Sequence, residues 1–146
     1  MFIGRKFAAI YTNGWRYLRG SIIDKSYTNA MCEVCGIIAQ NPGCKQDFLV
    51  RILGLDKGAV ARTVQRCVDS GLTLREVNPN NHREVQLYPT DEGKKLVDTI
   101  GTVWLNWQDE VLSVLPQEDR ESFLEMVNLI SEKSYDLLRA PLNNVG

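Results

Sequence analysis

The sequence predicts a mainly α-helical fold with one small β-hairpin, arranged as a winged helix-turn-helix flanked by dimerisation helices at both ends. Two observations predict it. Residues 44–93 contain, in order, two short helical segments joined by a tight turn, two strand-like segments and the start of a longer helix. The segments on either side carry apolar residues at three- and four-residue spacing, which is typical of helices with one apolar face.

The composition is ordinary for a globular protein. The chain has 146 residues, of which 44% are hydrophobic and 24% are charged, and its formal net charge is −1. No apolar run approaches the ~20 residues that cross a bilayer, and the N-terminal stretch lacks a convincing signal-peptide cleavage site. We therefore expect a cytoplasmic protein with no membrane partner. Basic residues are concentrated before residue 26 and acidic residues after residue 100, which allows one positive face.

The N-terminal helix is predicted by a long apolar stripe. Its members recur at steps of three and four residues and are Phe7, Ile10, Tyr11, Trp15, Leu18 and Ile22. A second helix, residues 29–40, should end at Asn41-Pro42-Gly43, because neither proline nor glycine continues a helix comfortably. A single chain has few places to bury so long a stripe, so residues 1–28 are expected to form part of a dimer interface.

The helix-turn-helix follows. A short helix is expected from Gln46 to about Ile52, stopping at Gly54, and Asp56 then caps the next helix by accepting hydrogen bonds from its free amides. We call that next helix the recognition helix. It should bury the residues at i, i+4, i+7 and i+8, namely Val60, Val64, Cys67 and Val68. Gly71 should end it in a left-handed conformation.

The hairpin, here called the wing, comes next. Residues 72–77 and 84–88 are predicted as paired strands around a turn-rich tip at residues 78–82. Residues 29–93 would thus form the winged helix-turn-helix core.

Two long helices complete the chain. Thr90 is expected to cap a connecting helix over residues 91–115, which Pro116 interrupts. A final amphipathic helix, from Gln117 to about Arg139, lies in the second predicted dimerisation segment, residues 117–146. Its predicted apolar side comprises Phe123, Met126, Val127, Ile130 and Leu137. The whole chain, 1–146, is interpreted as a single domain.

The exposed face of the recognition helix has the residue types that DNA reading needs. The face is predicted to comprise Lys57, Gly58, Ala61, Arg62, Gln65, Arg66 and Asp69, all of which except Asp69 are candidate DNA contacts. Arg62 suits a bidentate hydrogen bond to guanine, and Gln65 suits one to adenine. Gly58 and Ala61 are small enough for the helix to approach the bases closely, and Lys57 with the first-turn amides suits a phosphate.

The wing is predicted to add a second DNA contact. His82 and Arg83 are placed at its tip, where an arginine can enter the minor groove or bind the flanking backbone. The alternative is a winged-helix module that binds another protein without sequence-specific DNA binding. Exposed Arg62, Gln65 and Arg83 favour double-stranded DNA as the partner. A winged-helix module that no longer binds DNA would have little need of these side chains.

Four short motifs in this region resemble the MarR family of winged-helix transcriptional regulators. The recognition-helix motif, Leu-Asp-Lys/Ser-x-x-Val-x-Arg, corresponds to residues 55–62, and Gly-Leu-x-x-Arg corresponds to residues 71–75. The Asp-x-Arg wing corresponds to residues 81–83, with Asn81 in place of aspartate. The Leu-Thr-x-x-Gly motif corresponds to Leu87 and residues 90–93, with Tyr88-Pro89 inserted.

The resemblance implies a homodimer, held by the first and last helices, that recognises a pseudo-palindromic operator and acts as a repressor. It also implies that a small, often aromatic, anionic ligand bound between the dimer and DNA-binding parts releases the DNA. Oxidation of a cysteine is the other release signal found in the family. A homodimer would set the two recognition helices about one DNA turn, ~34 Å, apart.

The cysteines leave two interpretations open. Cys32, Cys35 and Cys44 are candidates for a thiol switch, Cys44 because a helix entrance can lower a thiol pKa. The other interpretation is reduced core thiols. A zinc site is poorly supported, because the Cys-x-x-Cys spacing is not repeated and His82 is assigned to the wing.

The remaining candidates are aromatic. Trp104 and Trp107 lie three residues apart on the connecting helix and are predicted to pack in a core or dimer seam, with the wall of a ligand pocket as the alternative. No glycine-rich phosphate loop, nucleophile elbow or carboxylate pair stands out in the sequence. We therefore predict no enzyme, no catalytic residue, no metal and no cofactor.

Overall fold

A computed structural model describes residues 2–21 and 24–139 of the chain. Ile22 of the predicted stripe, and the outer parts of both predicted dimerisation segments at residues 1 and 140–146, lie outside the described residues. The elements are α1 (Ile3–Ser21), α2 (Asn29–Gln40), α3 (Gln46–Leu53), α4 (Lys57–Asp69), β1 (Thr73–Asn78), β2 (Asn81–Pro89), α5 (Asp91–Leu112) and α6 (Gln117–Arg139). The predicted fold class, mainly helical with one hairpin, is confirmed.

Local sequence signals set several helix ends where they were expected. The Thr28 side chain accepts from the amide of Met31 at 3.2 Å, and Asp56 Oδ1 accepts from the amide of Ala59 at 2.9 Å. Both are N-caps that satisfy amides left free by the first turn. Gly54 ends α3 with φ 64°, a left-handed conformation that glycine adopts without steric cost. The helix-turn-helix therefore follows from local chemistry.

Two boundaries were predicted wrongly. The hairpin is longer than predicted, because β2 begins at Asn81 and only Pro79 and Asn80 connect the strands. The connecting helix is shorter, since α5 ends at Leu112 and residues 113–115 form a turn before Pro116. The proline rule marks a helix end only to within a few residues.

The loop after α2 pairs with the wing through an isolated β-bridge between Cys44 and Leu87. The amide of Gly43 donates to the carbonyl of Leu87 at 2.8 Å, and the amide of Leu87 donates to the carbonyl of Cys44 at 2.9 Å. Gly43 has φ 85°, and the Tyr88 hydroxyl lies 3.2 Å from where a Cβ at this position would be. From the sequence, these residues were expected only to stop the helix. They also fix the inner half of the wing to the helical core.

The buried side chains form two clusters. The larger one joins α2, α3, α4 and the wing through ten residues, namely Met31, Val34, Cys35, Ile38, Leu49, Val60, Val64, Cys67, Leu72 and Leu87. The smaller one joins α1, α2 and α5 through Trp15, Leu18, Cys32, Ile100 and Val103. Of the predicted N-terminal stripe, only Trp15 and Leu18 are buried, while Ile10 and Tyr11 are exposed. Most of that stripe thus remains uncovered in the single chain.

The N-terminus of α5 is fixed to the turn that ends the recognition helix. Thr90 donates from its amide to the carbonyl of Leu72 at 3.1 Å and from its hydroxyl to the carbonyl of Gly71 at 2.6 Å. The Thr90 hydroxyl also accepts from the amide of Gly93 at 3.0 Å, which confirms the predicted cap. A Cβ at Gly93 would lie 2.1 Å from the carbonyl oxygen of Leu72, so only glycine fits this approach.

The chain forms two compact units, residues 1–107 and 108–146. The first contains α1, the winged helix-turn-helix and most of α5, and the second contains the end of α5 and α6. The assignment of the whole chain to one domain stays a prediction. None of the helices in the described residues is both long enough and apolar enough to cross a membrane.

Replacing Gly93 by alanine should destabilise the protein by about 1–3 kcal/mol, because the new methyl group would press on a backbone carbonyl that cannot easily move. Gly101→Ala is a matched control on the same helix, where a Cβ would meet nothing within 4 Å. The control should be neutral or more stable by up to about 1 kcal/mol, since alanine favours a helix over glycine. Urea unfolding measures both. Equal stability of the two variants would contradict the proposed tight approach.

Candidate nucleic-acid interface

The recognition helix α4 turns one face into the core and the other to solvent. Val60, Val64 and Cys67 are 0% exposed, as the spacing predicted. Asp56 caps the helix, so its carboxylate is held against the first-turn amides. Of the predicted DNA-reading residues on this helix, Lys57, Gly58, Arg62, Gln65 and Arg66 are exposed, whereas Ala61 is half-buried. The first turn and the outer face are thus free to meet a large partner.

Gly58 and Arg62 form the centre of this outer face. A Cβ at Gly58 would meet only side-chain atoms, at 3.1 Å from Asp56 Oδ1 and 3.3 Å from Arg62 Nη1. A glycine inside a helix costs about 1 kcal/mol relative to alanine, and no backbone contact in the described part of the chain requires it here. A bare backbone at this point benefits a partner that must come close to the helix.

Lys57 stands at the start of the same face. Its Nζ lies 3.7 Å from Asp47 Oδ1, and both side chains are highly exposed. Exposed ion pairs of this kind contribute little, typically about 0–1 kcal/mol, and are weakened by salt. Lys57 can therefore exchange this carboxylate for a phosphate at small cost.

The sequence suggested that the Gln65 side chain is free, but both ends of its amide are hydrogen-bonded within the chain. Its Nε2 donates to Asp69 Oδ1 at 2.7 Å, and its Oε1 accepts from Arg75 Nη1 at 2.5 Å. Arg75 lies on β1, so this contact ties the wing to the recognition helix. The sequence analysis quoted Arg75 only as part of the Gly-Leu-x-x-Arg motif and did not place it in the site. That motif was the signal that could have found it.

The wing residues lie in the first part of β2, next to the two-residue turn of the hairpin. His82 and Arg83 are exposed, and they belong to the strand and not to the predicted loop because β2 begins at Asn81. The register is irregular here, since Val77 pairs with Val85 and Asn78 with Asn81. Asn81 Oδ1 accepts from the backbone amide of Arg83 at 3.2 Å, so Asn81 fixes the main chain here. Glu84 is held by an ion pair with Lys45 and by the Asn78 side-chain amide. The part of the wing next to its turn is therefore anchored, while Arg83 remains exposed for a contact.

Arg66 lies to one side of this surface. It lines a cavity of about 200 Å³ together with Ser26, Thr28, Met31, Asp69 and Ser70, between the start of α2 and the end of α4. The structure thus brings Lys57, Gly58, Arg62 and Gln65 together on one helix face and leaves Arg66 at its edge.

The same arrangement is found in known proteins. The MarR family model matches residues 36–85, which run from α2 into the wing. The chain is 26% identical over 95 residues to the HTH-type transcriptional regulator BilQ of Clostridium symbiosum (strain WAL-14163), covering 65% of this chain and 66% of BilQ. Its structure is similar to a crystal structure of MarR, with a TM-score of 0.72 and 27% identity over 92% of this chain and 87% of that one.

The part of the chain that holds the recognition helix and most of the wing therefore resembles the MarR family. A MarR transcriptional regulator from Methanosarcina mazei Go1 shares the fold across 93% of this chain and 98% of its own, with a TM-score of 0.83 and 23% identity. MarR-family relatives are named as transcriptional regulators and not as enzymes, which agrees with the sequence prediction. The BilQ alignment spans about two thirds of that relative.

The two cysteines of the Cys-x-x-Cys motif lie in different core clusters. Cys32 belongs to the smaller core cluster and Cys35 to the larger one. The sulfur of Cys35 lies 3.8 Å from the sulfur of Cys67 on the recognition helix, and all three of these thiols are buried. No group of three metal-ligating side chains occurs among the described residues.

Thiol acidity also differs from the prediction. Burial raises the pKa of Cys32 to about 11. Burial likewise raises the pKa of Cys44, which was predicted to be lowered by a helix entrance. Cys44 precedes α3 by two residues and pairs with the wing strand, so it gains no help from the helix amides. Cys32 and Cys44 therefore lack the thiolate character that fast oxidation requires, whereas the hydrogen bond with Cys67 lowers the pKa of buried Cys35.

A second cavity lies between α1, α2 and α5. It measures about 270 Å³, and its lining residues are Tyr11, Trp15, Cys32, Glu33, Gly36, Ile37, Gln40, Ile100 and Trp104. Trp15 and Trp104 meet edge to face, with ring centroids 5.5 Å apart. The Tyr11 hydroxyl donates to Glu33, and burial, with this hydrogen bond, raises the pKa of Tyr11 to about 12. Trp104 thus packs against the smaller core cluster and also lines this cavity.

Thiol labelling should reflect this burial. In the native protein at neutral pH, we expect a thiol reagent such as DTNB to react first with half-buried Cys44, more slowly than with the unfolded chain. The rate should rise with pH, because a raised pKa leaves little thiolate at pH 7. Cys44→Ser should remove this first phase. Labelling of all four cysteines at the rate of the unfolded chain would contradict the account.

Proposed function

We propose that the protein is a homodimeric, sequence-specific DNA-binding regulator that acts in the cytoplasm and represses transcription from a pseudo-palindromic operator. The observation that carries the proposal is the exposed face of α4, which presents Arg62 and Gln65 beside the anchored wing with Arg83. The match of residues 36–85 to the MarR family model supports the same function.

Each residue has a physical role in this proposal. The first turn of α4 enters the major groove, where Gly58 and Ala61 allow close approach. Arg62 donates two hydrogen bonds to a guanine, and Gln65 pairs with an adenine. Lys57 binds a phosphate and sets the register without reading sequence.

The wing and the edge of the helix complete the contact surface. Arg83 reaches the minor groove or its phosphates, with His82 beside it on the same strand. Arg66 contacts the DNA backbone and not the bases, because it lies at the edge of the surface, beside the N-terminus of α2. Contacts of this kind carry affinity, while base contacts carry specificity.

Dimerisation is supported by the apolar surface that the single chain leaves exposed. In α6, Met126, Ile130 and Leu137 are exposed and recur on one face of the helix. In α1, Ile3, Ile10 and Tyr17 are exposed as well. Soluble monomers rarely expose so much apolar surface on helices, so a second copy of the chain is the occupant we propose.

Release of DNA is assigned to a small aromatic anion rather than to thiol oxidation. The 270 Å³ cavity has room for a single ring against Trp15 and Trp104. A neighbouring cavity of about 440 Å³ shares Tyr11 and Trp15 and is also lined by Arg16 and Arg19, which suit the anionic group. The buried cysteines with raised pKa values offer a poorer sensor.

Arg62→Ala should cost about 1–3 kcal/mol of binding to a duplex recovered from a random pool, and it should relax the preference for one base pair. Arg83→Ala should instead weaken binding evenly across duplexes and flatten its salt dependence, because it removes a phosphate contact. Fluorescence anisotropy over a range of salt concentrations measures both. If folded parent protein bound no duplex above background, the protein-binding module would become the better account.

If α6 forms part of the dimer interface, charged residues introduced on its apolar face should separate the two chains. Ile130→Glu combined with Leu137→Glu should shift the protein from twice the chain mass to the single chain, because two carboxylates would be buried in the interface. Leu74→Glu, an equally exposed leucine on the wing, should leave the mass unchanged. Analytical ultracentrifugation distinguishes the outcomes. A parent protein that sediments as a monomer at micromolar concentration would refute the dimer.

A further inference from the structure

The two contacts of Gln65 have a chemical meaning beyond holding the side chain. A glutamine amide has two acceptor sites on Oε1 and two donor hydrogens on Nε2. Arg75 occupies one acceptor site and Asp69 occupies one hydrogen. What remains is one acceptor beside one donor, which is the pattern that pairs with N6 and N7 of adenine. Guanine presents two acceptors at its major-groove edge and does not match that pattern.

The opposite orientation of the amide is disfavoured at both ends. Turning the amide over would place Oε1 against the Asp69 carboxylate and Nε2 against the Arg75 guanidinium. Each contact would then join two acceptors or two donors, which repel. Arg75 and Asp69 thus select one of the two orientations of the Gln65 amide, which are otherwise nearly equal in shape.

Neither partner is explained by the stability of the fold. Asp69 is the last residue of α4, where a negative charge opposes the helix dipole and costs about 0.3–1 kcal/mol. Arg75 is exposed on β1 and belongs to neither core cluster. A carboxylate on a face that meets phosphates is also unfavourable for DNA binding in general. Asp69 therefore needs a specific reason to be there, and its contact with Gln65 supplies one.

We propose that Arg75 and Asp69 are positioning residues that orient the Gln65 amide so that it reads adenine and rejects guanine. This inference rests on the proposed DNA-binding function. In free protein the contacts are exposed and weak, but DNA excludes water from the face and strengthens them. The recognition helix then reads one base through a side chain whose orientation is set in part by the wing.

The test compares base preference with overall affinity in four single variants and one double variant. Two duplexes are compared, which differ at a single base pair, A·T in one and G·C in the other. The position is chosen so that this replacement lowers the affinity of the parent protein but not that of Gln65→Met. Arg75→Met and Asp69→Ala should both lower the preference for A·T by about five- to tenfold, since each frees the amide. Their overall affinities should move in opposite directions, because one variant loses a positive charge and the other a negative charge.

Arg83→Met serves as the control for loss of positive charge, and it should lower affinity for both duplexes equally. In the Gln65→Met background, Arg75→Met should no longer change the preference, because there is no amide left to orient. Unfolding curves establish that every variant is folded.

Two results would overturn the inference. If Arg75→Met weakens both duplexes equally, as Arg83→Met does, Arg75 is a phosphate contact and the positioning role is refuted while DNA binding stands. If the parent binds no duplex, the proposed function fails, and this inference fails with it.

Discussion

The carbonyl of Leu72 is the point on which the geometry of the molecule depends. It accepts from the amide of Thr90, and it lies so close to Gly93 that a methyl group there would stand 2.1 Å away. Leu72 itself is buried in the larger core cluster and follows the turn that ends the recognition helix. The end of α4, the start of β1 and the start of α5 are therefore joined within a few residues. A shift of α5 at this joint would also displace α4 and the wing.

The wing is fixed on its other side by the loop after α2. Backbone hydrogen bonds from Gly43 and to Cys44 hold Leu87, and the Lys45–Glu84 ion pair holds the strand beyond it. The surface proposed to meet DNA is thus carried by rigid backbone, while its long side chains remain exposed. Such a surface needs little reorganisation to bind. The cavity between α1, α2 and α5 is lined in part by α2, which packs against the recognition helix in the larger core cluster.

The sequence was sufficient for what local chemistry decides. Asp56 and Thr90 as caps, Gly71 as a helix stop and the spacing of Val60, Val64 and Cys67 placed the helix-turn-helix correctly. It was insufficient where distant residues meet. The contact of Cys35 with Cys67, the hydrogen bond of Gly43 with Leu87 and the contact between Arg75 and Gln65 join residues that lie 32, 44 and 10 positions apart. The wing was also predicted too short, because Asn81 has a turn-like residue type but pairs with Asn78 in the hairpin.

The central claim is that the outer face of α4 and the first part of β2 meet DNA. Amide hydrogen exchange, measured by mass spectrometry with and without a duplex that the protein selects from a random pool, tests it most directly. The account predicts slower exchange on DNA binding in peptides covering Lys57–Asp69 and residues 81–83, with little change in α6. Protection confined to other elements, with these two segments unchanged, would contradict it.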